Sequence, residues 1–191
     1  MFSRLDLARS GLALFAAAST ACGDVNYLSP AYSATYEDTV TLWAATGTDV
    51  TLPSAFDLIS VVSVRTDRST VFDFLFDLRT DSAGDTVAVL VPRGALGLSD
   101  DAGLQVAAAR YDALLLAPTG GYEFHGEVPV DTGTALFARS RLQTCNYGLS
   151  YGIYAKMQPL VISRRERWMR IKIRLDPNCG YRSLAEGIPD R

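Results

Sequence analysis

Val71-Phe72-Asp73-Phe74-Leu75-Phe76-Asp77-Leu78 alternates with a period of two: Phe72, Phe74, Phe76 and Leu78 fall on one face, and Asp73, Leu75, Asp77 and Arg79 on the other. Side chains of an extended strand point alternately to opposite faces, so the spacing predicts a β-strand with three rings in a core. Each buried ring contributes roughly 1.5–3 kcal/mol, which makes this strand the expected centre of the fold. Asp81-Ser82-Ala83-Gly84-Asp85 turns the chain, and Thr86 to Val91 returns as the partner strand before Pro92.

Working outward, Thr39-Val40-Thr41-Leu42-Trp43-Ala44 alternates threonine with apolar residues and reads as an earlier strand, closed by the turn Thr46-Gly47-Thr48-Asp49. Phe56 to Val64, after the break at Pro53-Ser54-Ala55, is rich in β-branched and apolar residues and reads as one buried strand. Arg93 to Gly103 is a loop of glycine and aspartate. Leu104 to Leu116 reads as mostly strand, because it reaches Ala117-Pro118 without a helix cap. Thr119-Gly120-Gly121 turns into a strand from Tyr122 to Val130, Asp131-Thr132-Gly133 turns again, and Ala135 to Arg139 follows. Tyr151 to Ile162 and Trp168 to Leu175 flank Ser163-Arg164-Arg165-Glu166 as a hairpin. On its second strand Met169, Ile171, Ile173 and Leu175 face inward, while Trp168, Arg170, Lys172 and Arg174 share the outer face. Many short strands between turns, with no repeat or heptad, predict a mainly β chain: one antiparallel β sandwich or open barrel domain.

The amino end carries a different signal. Arg4 and Arg9, the apolar run Gly11 to Ala18, and small residues leading to Cys22 have the layout of a bacterial export signal ending in a lipobox. In that reading Cys22 carries palmitate-type acyl chains and becomes the first residue of the mature protein. Ser19 stands where an aliphatic residue is usual, so plain secretion is the alternative. Gly11 to Ala21 is too short for a permanent span, which needs ~20 apolar residues. The expected organisation is a signal peptide at 1–21, a flexible tether at 22–35 containing Ser29-Pro30, and a β domain at 36–191. Taking the first 21 of 191 residues away leaves 170, enough for one domain with a sizeable core. Gly23 in place of an acidic residue leans towards the outer membrane.

If Cys22 is lipidated, Cys145 and Cys179 are left as a pair in an oxidising compartment, and a disulfide is expected, with two buried thiols as the alternative. Such a bridge adds ~3–4 kcal/mol in the chain-entropy account. Charge is divided along the chain. Residues 22 to 131 carry 16 acids and 5 bases, whereas residues 132 to 191 carry 4 acids and 11 bases. That division favours association of the two halves, and fits strands of both in a common sheet.

Groups able to do catalysis are sparse. His125 is the sole histidine and no serine is paired with it by sequence, so no catalytic residue is expected. Zinc wants several His or Cys ligands at close spacing, and no metal site is expected. Asp73 and Asp77 sit about 13 Å apart on one strand face, too far for glycosidase chemistry, and read as solvated charges or partners of Arg79 and Arg93. Asp100-Asp101 lacks the calcium-loop series and reads as an acidic loop. The stripe Trp168, Arg170, Lys172 and Arg174 is the most suggestive surface, suited to lipid phosphate, a polyanionic glycan or an acidic partner, or else to guarding a sheet edge. Nucleic acid is not expected as a partner of an exported acidic chain.

Phe72-Asp73-Phe74-Leu75-Phe76-Asp77-Leu78, Tyr111-Asp112-Ala113-Leu114 with Ala117-Pro118 and Gly121-Tyr122, Phe137-Ala138-Arg139-Ser140 and Tyr154-Ala155-Lys156-Met157 follow one another in an order that resembles the HmuY type of haem-binding bacterial lipoproteins. The resemblance implies an all-β, lipid-anchored, non-enzymatic protein. It implies haem less well, since that type uses paired axial histidines and this chain offers His125, with Met157 or Met169 as the remaining ligand types. Asn178-Cys179-Gly180-Tyr181-Arg182 also resembles the ending of uncharacterised lipoproteins, which brings no activity. Together these readings predict a non-catalytic envelope module, held at the membrane by its lipid, that binds an envelope protein, a glycan or an apolar ligand. Carriage of haem or another apolar molecule is the alternative, and an envelope hydrolase is the disfavoured third.

Overall fold

A computed structural model describes residues 28–145 and 148–189; the expected signal segment, Cys22 and the first part of the expected tether lie outside the described residues. In chain order the strands are β1 (Tyr36–Trp43), β2 (Ala55–Asp57), β3 (Val62–Val64), β4 (Phe74–Thr80), β5 (Thr86–Pro92) and β6 (Gly103–Val106). They continue as β7 (Val128–Val130), β8 (Leu136–Arg139), β9 (Gln143–Thr144), β10 (Ser150–Tyr151), β11 (Tyr154–Ser163) and β12 (Trp168–Asp176). One five-stranded sheet runs β1-β12-β11-β8-β6 and the other β3-β2-β4-β5-β7, with every neighbour antiparallel. β9 and β10 form a small separate ribbon.

The two sheets face each other across one apolar core. Phe74, Phe76 and Leu90 come from the second sheet and meet Leu136, Met157, Met169 and Ile171 of the first, all essentially without exposure. The hairpin β11–β12 follows its alternation: Met169, Ile171, Ile173 and Leu175 are buried, and the intervening residues lie outside. Register is kept until Pro159, which has no N–H to give to a ladder, and a bulge there releases Leu160 to the surface. Val40 and Leu42 of β1 sit opposite Ile171 and Met169, so the first strand adds its apolar face to the same layer.

Three sequence expectations change in the folded chain. Phe72 lies just before β4 and does not join Phe74 and Phe76; it packs on the far side of the sheet with Leu75, Val89 and Val91, under Ala95 and Leu98. The second sheet is therefore buried on both faces, and Asp73 and Asp77 are buried carboxylates, not solvated ones. Val87-Ala88-Val89-Leu90-Val91 has the continuous apolar run that such a strand requires. Secondly, Phe56 to Val64 is not one strand. It folds back as β2 and β3 with Asp57 opposite Val62, and Val61 takes the left-handed conformation (φ 55°) that a β-branched residue rarely adopts. Thirdly, the expected strand from 104 to 116 stops at Val106, giving way to an irregular segment with one short helical turn at Tyr111–Ala113, and that from 122 to 130 shrinks to Val128–Val130.

Residues 28–35, read as part of a free tether, are fastened to the carboxyl-terminal loops. Thr35 donates through its N–H to Gly187 O at 2.9 Å and through its hydroxyl to Ala185 O at 2.8 Å, and the Tyr181 hydroxyl reaches Ser29 O at 2.9 Å. The charge division has its counterpart in space. Arg141 with Asp57 and Asp73, Arg164 with Asp131, and Lys172 and Arg174 with Glu37 all join a base of the second half to an acid of the first.

Truncating the buried ring in Phe76→Ala is expected to cost about 3–5 kcal/mol, whereas Val71→Ala, at an exposed position of the same stretch, shifts stability by no more than about 0.5 kcal/mol. Urea unfolding midpoints of the two variants check both values.

Candidate functional site

Two places gather polar chemistry. The first joins the sheets. Arg141, two residues past β8 of the first sheet, crosses to β2 and the start of β4 in the second, with Nη2 2.9 Å from Asp57 Oδ1 and Nη1 3.1 Å from Asp73 Oδ1. Asp73 also accepts the N–H of Arg141 at 2.7 Å and that of Leu58 at 2.7 Å, and Asp57 accepts that of Ile59 at 3.0 Å. Both carboxylates are nearly inaccessible to solvent, so one guanidinium serves two buried acids. Burial raises the Asp73 carboxyl to about 6, against the opposing pull of Arg141 and with a further push from Asp57. Both buried carboxylates are met by protein donors, and the node works as a clasp between the sheets.

The second place lies at the end of the sandwich where the described chain begins. Cys145 and Cys179 form the expected disulfide, closing a separation of 34 residues with a Cα–Cα distance of 6.1 Å. Beside it, Asn178 uses its whole amide: Oδ1 accepts from the N–H groups of Tyr32 (3.0 Å) and Ser33 (3.1 Å), and Nδ2 donates to Ser33 O and Asp176 Oδ1 (both 2.7 Å). Burial pushes the Asp176 carboxyl up, and its Oδ2 is enclosed without a hydrogen-bond partner. Gly180 at φ +82° lets the loop turn under this staple; a Cβ there would stand 2.6 Å from Leu28 Cδ2 and 3.0 Å from Tyr151 Cγ. Between the opening segment, the β9–β10 ribbon and the 177–181 loop is a cavity of about 280 Å³. Its floor is Ile153, Tyr181 and the disulfide, and Tyr32, Tyr151 and Gln143 stand around it.

Other residues singled out by sequence have other surroundings. Trp168, Arg170, Lys172 and Arg174 do share the outer face of β12, yet three of the four are engaged. Trp168 Nε1 donates to Glu166 at 2.7 Å, Lys172 Nζ lies 3.1 Å from one Glu37 oxygen, and Arg174 Nε lies 2.8 Å from the other. Glu37 also accepts the Tyr111 hydroxyl at 3.0 Å; burial works against its charge, but these donors hold its carboxyl below the usual range. The Tyr111 ring in turn receives the ammonium groups of Lys156 (4.7 Å) and Lys172 (4.6 Å). Lys156 is itself buried, donating to Leu114 O at 2.9 Å, and that burial lowers its pKa. Arg170 is left exposed without an ion pair among the described residues.

The three residues considered as haem ligands are not brought to one cavity. Met157 and Met169 are sealed in the core at 0% exposure, and His125 stands on an exposed loop 4.0 Å from Asp100. Asp101 accepts from the Ser99 hydroxyl at 2.6 Å and from Leu142 N–H at 3.0 Å. Asp77 accepts from the Thr46 N–H (3.0 Å), the Thr46 hydroxyl (2.7 Å) and Arg79, whose Nε also reaches Glu127 at 2.8 Å. Among the described residues no group of three metal-ligating side chains converges.

Comparison with known proteins gives no match. Neither a family model, nor a curated protein, nor a solved structure aligns with the chain. Function is therefore argued from the geometry above.

Sequence reasoning missed the Arg141 clasp because its partners lie 84 and 68 positions away. It missed the cavity because four separate segments line it, although Cys145 and Cys179 marked two of them. Removing the guanidinium in Arg141→Ala leaves two buried carboxylates unpaired and is expected to lower stability by about 3–5 kcal/mol, read from urea unfolding. The pH dependence has a definite sign. Native Asp73 holds its proton up to about 6, while an unfolded aspartate releases it near about 3.9, so native protein binds more protons in between. Stability then falls as pH rises through that window, by up to about 1.4 kcal/mol per pH unit, relative to the Asp73→Asn variant. Parallel profiles for the two proteins from pH 4 to 7 would remove the assignment.

Proposed function

We propose that this chain is a lipid-anchored, non-catalytic β sandwich of the bacterial envelope, acting as a binding module. The observation that carries the reading is the disulfide: a bridge between Cys145 and Cys179 suits an oxidising compartment and leaves Cys22, at the end of an export signal, as the remaining cysteine. The unattended His125 supports a role without catalysis, since it lies exposed with an aspartate at 4.0 Å and no nucleophile bonded to it among the described residues.

The anchor also implies an orientation. Five residues lie between Cys22 and Leu28, a reach of at most about 22 Å even when fully extended. The end that carries the disulfide and the cavity is then held close to the bilayer. Trp168 and Arg170, towards the other end of nine-residue β12, stand roughly 27 Å and 20 Å further along, away from the end nearest the proposed anchor. The exposed part of the basic stripe is accordingly suited to a soluble or wall-borne partner more than to the lipid that holds the domain. Carriage of haem gains little from the geometry, because the sealed methionines and a cavity of about 280 Å³ offer no open tetrapyrrole slot.

Fractionation with intact-mass analysis tests the reading. The mature chain is expected in the membrane fraction, beginning at an acylated Cys22, and the Cys22→Ser variant is expected in the soluble fraction. Cytosolic recovery with Met1 retained and free thiols would overturn it. A saturable Soret shift with added haem would favour the carrier instead.

A further inference from the structure

We propose that the cavity beside the disulfide is a binding site for a neutral sugar. The inference rests on the envelope reading for its biological setting, but its chemistry is carried by the cavity itself.

Among the described residues, those around the cavity include no aspartate, glutamate, lysine, arginine or histidine. A charged ligand entering it would lose its hydration without gaining a counter-charge, which disfavours phosphates, carboxylates and amines. A purely apolar ligand meets the opposite difficulty. Gln143 and Tyr151, which share one face of the β9–β10 ribbon, and Tyr32 border the cavity, and their side chains make no hydrogen bond among the described residues. Covering them with hydrocarbon would strand an amide and two hydroxyls, each at a cost of about 1–3 kcal/mol.

A sugar ring resolves both difficulties. Its hydroxyls donate and accept in the plane of the ring, matching the Gln143 amide and the hydroxyls of Tyr32 and Tyr151. Its C–H faces are apolar and suit the faces of Tyr32 and Tyr151 and the floor made by Ile153. The volume of about 280 Å³ is at the small end of ligand sites, which run from about 300 to 1,000 Å³, and favours one or two rings over a long chain. The floor is preset. The disulfide fixes Cys145 against Cys179, and Asn178 is fully occupied in holding Tyr32 and Ser33, so the cavity wall is organised before a ligand arrives.

The test is calorimetric and NMR titration of the full chain, purified in detergent, with glucose, galactose, mannose, N-acetylglucosamine and their β- and α-linked disaccharides. Saturable binding of at least one of them is expected, with shifts confined to residues around the disulfide. Tyr151→Ala and Gln143→Ala are each expected to weaken it tenfold or more while the unfolding midpoint and the disulfide stay intact; Arg170→Ala, at the distant end, is expected to leave it unchanged. Absence of binding across the panel, or binding that survives both cavity substitutions, would overturn the assignment. So would saturable binding at the cavity by an apolar probe such as a fatty acid, or by inorganic phosphate, in place of sugar. None of these outcomes bears on acylation of Cys22, so the anchor and the ligand class fail separately.

Discussion

One guanidinium between two buried carboxylates fixes how the sheets meet. Arg141 leaves the first sheet at the end of β8 and is held by Asp57 and Asp73 of the second, close to where the apolar core ends. Apolar layers slide over one another at little cost, because the hydrophobic effect has no direction. A planar, doubly bonded cation has direction, and a shift of either sheet would leave a charge buried without its partner. The backbone N–H groups of Arg141 and Leu58, both given to Asp73, extend the same constraint to the strand ends. Everything at that end, including the turn into β9 and the ribbon beside the disulfide, follows from where Arg141 is pinned.

The parts of the fold legible in the sequence are those governed by local alternation. Met169 to Leu175 gave the inward face of β12 correctly, and Val40 and Leu42 did the same for β1, because one face of each meets the core and the other meets water or polar side chains. The stretch around Phe74 was legible as a strand but not in its surroundings. Alternation separates two faces without telling whether the second is covered, and here Phe72, Ala95 and Leu98 cover it. Asp73 and Asp77 therefore read as solvated charges or partners of Arg79 and Arg93, when both are buried: Asp73 is satisfied by a residue far along the chain, and Asp77 by Thr46 and by Arg79, one of the expected partners. Val61 shows the limit from the other side, since no propensity predicts a left-handed valine, and the hairpin it permits stayed hidden inside an apparently continuous apolar run.

Of the cavity, only its cysteines were visible beforehand. Its tyrosines and its glutamine belong to segments more than a hundred residues apart in part, and the staple through Asn178 bonds positions separated by 145 and 146 residues. The basic stripe was legible as a face but not as a surface. Glu37 neutralises two of its members and Tyr111 roofs one of them, leaving Arg170 as the uncommitted charge.

If the domain is held by its amino end, as proposed, the Asn178 staple has a mechanical consequence. Tension arriving at Leu28 does not reach β1 directly. It is met first by the amide of Asn178 and the Tyr181 hydroxyl, and then by the pair of bonds from Thr35 to Ala185 and Gly187. Behind them the bridge between Cys145 and Cys179 passes the load into a second part of the chain covalently. A pull on the amino end is thus shared among several parallel fastenings, and β1 is spared from being peeled off its sheet one residue at a time.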